Sequence, residues 1–145
     1  MASTIAGARG APPGEEGISL VRLSVLRAVY LLLIVGLGAT IVPVIISHEP
    51  TARGVIPSLL CGVWLMAFIG LKYPLRMLPL LMFEFAWKAI WLAAFGFAQW
   101  RSGHTPPTFS DDFPAIVFGV LLMPLVLPWS YIWRNYVKAA GDRWR

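Results

Sequence analysis

Two ionisable residues of opposite sign, Glu84 and Lys88, stand four positions apart inside a long apolar run. On a helix that spacing puts both on one face about a turn apart, with the carboxylate nearer the amino end as the helix dipole favours. Two kinds of chemistry follow. The pair either neutralises itself, fixing helix register or docking a partner subunit, or it hands on a proton, an ion or a small polar solute. Trp87 and Trp91 flank the same face and either line Lys88 through a cation–π contact or fill the helix interface.

Other reactive constellations are missing from the chain. Cys61 is the single cysteine, which excludes a disulfide scaffold, a zinc ribbon and a CxxC redox module. On an apolar helix it reads as a small packing residue. No phosphate-binding glycine loop, serine-centred elbow, HExxH or paired-carboxylate arrangement occurs, so an enzyme would lack both nucleophile and metal. The chain therefore reads as non-enzymatic, with no cofactor and no catalytic or metal-ligating residue. His48 and His104 fall in linkers, where they cannot clamp a haem between membrane helices. Together with Glu49, Asp111 and Asp112 they offer ligand types for an outer metal, but without ligand spacing they read as solvated loops.

The setting of the charge pair comes from composition. Of 145 residues, 58% are hydrophobic and only 13% charged, with mean hydropathy +0.71. Soluble domains carry about 25% charged residues, so this chain reads as an integral membrane protein in contact with a lipid bilayer. Its apolar residues gather into four blocks, at about 28–47, 54–71, 77–100 and 113–133. Each is long enough for a helix through a hydrocarbon core of about 30 Å. Continuous apolar runs lack the alternation of a membrane barrel. The expected fold class is all-α, a transmembrane four-helix up-down-up-down bundle over residues 20–136. Residues 1–19 read as a disordered cytoplasmic tail and 137–145 as a basic cytoplasmic one. A cleaved signal peptide is set aside, because the first block exceeds an h-region of about 7–15 residues and no small-x-small cleavage site follows it. Counted from residue 77 at about 1.5 Å per residue, Glu84 lies about 10 Å and Lys88 about 16 Å into the core.

An even number of crossings gathers Arg9, Arg22, Arg27, Lys72, Arg76, Arg134, Lys138, Arg143 and Arg145 on one side, against Arg53 and Arg101 on the other. That bias predicts both termini in the cytoplasm. The net charge of +5 thus reports topology rather than nucleic-acid binding. Trp100 on one boundary, and Tyr73, Trp129, Trp133 and Trp144 on the other, read as interface anchors.

The fourth block supplies a possible partner for Lys88. Pro124 and Pro128 each remove a backbone donor, which predicts helix kinks and carbonyls at Val120 and Pro124 open to the ammonium. Glu84 would then take Tyr30, Tyr131 or Arg27. Gly36 with Thr40, and Ser58 with Gly62, have the small-xxx-small spacing that lets helices approach closely.

The stretch Lys72-Tyr73-Pro74-Leu75-Arg76-Met77-Leu78-Pro79, its continuation Phe83-Glu84-Phe85-Ala86-Trp87-Lys88 and the closing Gly141-Asp142-Arg143-Trp144 resemble a group of small uncharacterised bacterial four-helix integral membrane proteins. The resemblance implies a bacterial inner membrane and carries no site residues. Function is expected to be that of an assembly or accessory module, as a homo-oligomer or within a larger membrane complex. The alternative is an oligomeric transporter or channel using Glu84 and Lys88.

Overall fold

The computed structural model describes residues 18–47 and 54–139. Residues 1–17 of the expected tail 1–19, the linker with His48, Glu49 and Arg53, and residues 140–145 of the expected tail 137–145 lie outside that range. Within it the fold is an all-α bundle of four long helices, α1 (Leu20–Ile46), α2 (Val55–Lys72), α3 (Leu78–Ser102) and α4 (Phe109–Val126), followed by a short α5 (Trp129–Ile132). All four long helices are long and apolar enough to cross a membrane.

Each helix begins and ends for a local reason. The Ser19 hydroxyl caps α1 by accepting the Arg22 backbone N–H at 3.3 Å. Pro57 falls in the first turn of α2 and Pro79 in that of α3, where a missing N–H costs little. Gly103, at φ +69°, closes α3 in the left-handed conformation that glycine adopts without strain. Asp111 and Asp112 stand in the first turn of α4, where the helix dipole favours acids.

Three boundaries depart from the sequence reading. Helix α1 starts at Leu20, two turns before the uncharged run, because Arg22 and Arg27 continue the helix out of the apolar segment. Helix α4 likewise starts at Phe109. At its far end it stops at Val126 instead of running to 133. Leu127, just before Pro128, is forced into an extended conformation at ψ 129°, so Pro128 breaks the helix where a kink was expected. Only Pro124 of the pair lies inside α4.

The helices pack as two hairpins, α1 with α2 and α3 with α4, which meet chiefly at one end. That end gathers the start of α1, the end of α2, the start of α3 and the end of α4. Its core is built from Leu26, Tyr30, Ala67, Leu78, Leu81 and Leu127, all fully buried. Arg22 donates to the Leu127 carbonyl across the helix break at 3.3 Å, and the Tyr30 hydroxyl donates to the Pro74 carbonyl at 3.2 Å. We refer to it as the basic end.

Candidate functional site

Glu84 is the single buried charged residue among the described ones, with no exposed surface. It lies six residues into α3, so its carboxylate is about 9 Å along the helix from Leu78. An ion at that depth needs a partner for its charge and a donor for each oxygen. The answer is local. Oε1 accepts the Trp87 indole N–H at 3.0 Å, and Oε2 forms an ion pair with the Lys88 ammonium one turn on. The ammonium also stands 4.9 Å from the centre of the Trp87 ring. One tryptophan therefore serves both charges: the expected cation–π contact to Lys88 is made, and the bond to Glu84 comes in addition to it.

Lys88 does meet the fourth span, but at Gly119 rather than at the proline-freed carbonyls. A Cβ on Gly119 would come within 2.9 Å of Lys88 Cδ and 3.6 Å of its Nζ, so the lysine stem lies in the space that glycine leaves on α4. The Pro124 carbonyl is occupied by another donor, the Trp129 indole N–H at 2.8 Å. This corrects the expected bond from Lys88. Pro128 cannot supply the amide that Pro124 would receive in a continuous helix, and the tryptophan next to it takes that place. The expected partners of Glu84 are corrected too. Tyr30 donates to Pro74, Tyr131 packs against the core of the basic end, and Arg27 is exposed.

A polar atom further along α3 had no sequence signal. The Gln99 amide oxygen is buried without a hydrogen-bond partner among the described residues. Between it and the charge pair, residues Leu92–Gly96 form a π-helical turn, over which Trp91 lies so close that a Cβ on Gly96 would fall 2.5 Å from its ring. Beyond α4, burial pushes the Tyr136 phenol above its usual range, with Tyr131 adding to the effect. It stays protonated and donates to the Leu75 carbonyl at 3.4 Å.

Compared with protein-family models, curated proteins and solved structures, the chain matches none. Its chemistry therefore rests on geometry alone. Among the described residues no three His, Cys, Asp or Glu side chains gather. His104, Asp111 and Asp112 are exposed, and His104 Nδ1 lies 3.0 Å from the Ser102 carbonyl.

The close helix contacts fall on glycines that the small-xxx-small reading passed over. Gly36 and Gly62 have nothing within 4 Å of a notional Cβ. Gly38 instead receives Trp64, whose indole donates to the Ile34 carbonyl at 2.8 Å, and Gly70 receives the Tyr30 ring. The spacing rule selects Gly36, which has Thr40 four residues on, over Gly38, which lies between Ile34 and Val42, and so points to the wrong glycine. What separates them is which face of α1 meets α2.

Proposed function

We propose that this protein is a non-enzymatic membrane module that assembles with itself or with a larger membrane complex. The closure of the charge pair carries this reading. Both Glu84 oxygens are taken by residues of its own helix, and Gly119 lets Lys88 lie flat against α4. So arranged, the pair is neutral and pins α3 to α4, a structural rather than a reactive arrangement. The outer surfaces remain to do the work. In the most apolar windows of the four helices only 17–28% of residues are buried inside the chain, so most of each helix faces lipid or a partner. We place the protein in a bacterial inner membrane with both termini cytoplasmic, supported by the basic residues at one end of the bundle and the resemblance of its central stretch. Nucleic acid is not among its partners.

The test is native purification in mild detergent, followed by mass determination and identification of whatever accompanies the chain. Assembly predicts a stable oligomer or a defined companion. A strictly monomeric protein that carries nothing with it would remove the basis of the reading.

The unpartnered Gln99 oxygen favours a second reading, in which an oligomer moves protons, ions or a small polar solute past Glu84 and Lys88. Reconstituted liposomes decide it. Flux abolished by Glu84→Gln and Lys88→Met supports transport, and flux indifferent to both, or absent, excludes that route.

A further inference from the structure

The turn between α2 and α3 holds a cluster that neither reading uses. Lys72 closes α2, Arg76 lies just before α3, and both turn back on one ring, that of Tyr73. The Lys72 ammonium stands 5.3 Å and the Arg76 guanidinium carbon 5.7 Å from its centre. Cation–π attraction draws each cation to the ring but leaves the repulsion between them unanswered. No carboxylate answers it among the described residues. Glu84 is bound within α3, and Asp111 and Asp112 begin α4 at the opposite end.

The backbone beneath is held in place. Pro74 and Leu75 are buried, the Pro74 carbonyl accepts the Tyr30 hydroxyl, and the Leu75 carbonyl accepts the Tyr136 hydroxyl. Lys72, Tyr73 and Arg76 are themselves exposed. A rigid turn thus presents two cations and an amphipathic ring where two spans end, the depth at which lipid phosphates lie.

We infer that Lys72, Tyr73 and Arg76 form a binding site for the phosphate headgroup of an anionic phospholipid. Two cations around one ring match a phosphodiester, whose two free oxygens accept from an ammonium and a guanidinium while its acyl chains run along the apolar faces of α2 and α3. The inference needs the chain to span a bilayer, and it holds whether or not the chain assembles.

The full chain is reconstituted into phosphatidylcholine vesicles with phosphatidylglycerol as the minority lipid. It is then released into mild detergent, and bound lipid is counted by native mass spectrometry. The wild type is expected to retain phosphatidylglycerol over phosphatidylcholine. A cation near an anionic surface is worth about a five-fold change in binding, so the K72Q/R76Q double variant is expected to lose roughly 25-fold in retention. The charge-preserving K72R/R76K variant keeps the lipid, as does R27Q/R134Q, which removes two exposed cations of the same end. Equal retention of both lipids, or equal loss in K72Q/R76Q and R27Q/R134Q, overturns the site. Displacement of the lipid by free inorganic phosphate overturns the lipid as its ligand. Elution of every variant at the wild-type volume keeps misfolding out of the comparison.

Discussion

The two hairpins solve one packing problem with different chemistry. In the first, aromatic rings fill the hollows of glycines, Trp64 against Gly38 and Tyr30 against Gly70, and each ring sends its polar hydrogen to a backbone carbonyl. In the second, the hollow at Gly119 takes the stem of a charged lysine, which Glu84 neutralises while the Trp87 ring faces the ammonium and its indole N–H holds the carboxylate. Both follow the membrane rule that close helix approach uses small residues, since apolar burial between helices gains little where lipid is as apolar as leucine. The difference lies in what failure costs. A ring that slips off its glycine loses packing, whereas an ammonium that loses its carboxylate leaves a bare charge inside the membrane.

The largest effect is therefore expected in the second hairpin. Lys88→Met strands the buried Glu84 carboxylate, and Glu84→Gln strands the ammonium. Each is expected to destabilise the fold by about 3 kcal/mol or more, the usual cost of splitting a buried pair. The double substitution removes both charges and is expected to recover most of that loss, because the cost belongs to the unpaired ion rather than to the missing pair. Reversible unfolding in mixed micelles, analysed as a double-mutant cycle, measures the coupling. Additive single effects would show that the two side chains do not act as a unit.

Next in size is Gly70→Ala in the first hairpin. Its new methyl would fall 2.2 Å from the Tyr30 ring, which is fully buried and tethered through its hydroxyl to Pro74. The ring has nowhere to retreat, so overpacking of about 1–3 kcal/mol is expected in the same unfolding assay. Gly119→Ala meets a softer obstacle, the Lys88 stem at 2.9 Å, and is expected to cost less. If Gly119→Ala proved the more damaging of the two, the lysine rather than the tyrosine would be the immovable side chain. Tyr30→Phe keeps the ring and removes only the bond to Pro74. A loss of about 1 kcal/mol is expected for one hydrogen bond, with the helical circular dichroism spectrum unchanged.

How far the sequence could reach differs between these layers. Four helices were legible because each apolar run matches the membrane in length, a property of local composition. The Glu84 and Lys88 contact was legible because four residues make one turn. Helix ends were less so, since Arg22, Arg27 and Asp112 are polar yet helical, and polarity marks the edge of the lipid rather than the end of hydrogen bonding. The break at Leu127 needed a choice between two effects of Pro128, a kink or a stop. The stop occurs with the Leu127 carbonyl held by Arg22 from another helix. The glycine contacts and the π-helical turn at Leu92–Gly96 depend on which faces meet in three dimensions, and a single chain's spacing carries no record of that.

The finest test concerns glycines that touch neither hairpin partner. Gly36 and Gly62 lie within α1 and α2 with nothing inside 4 Å of a notional Cβ, although each belongs to a small-xxx-small pair. Within one chain, Gly36→Ala and Gly62→Ala should therefore clash with nothing. The added methyl restricts the unfolded backbone, so a gain of about 0.5–1 kcal/mol is expected for each, opposite in sign to Gly70→Ala. A loss of stability that deepens as the protein is concentrated in the micelle would mean that another chain sits on these faces. The same two substitutions then separate contacts inside the bundle from contacts between bundles, because only the second kind depends on concentration.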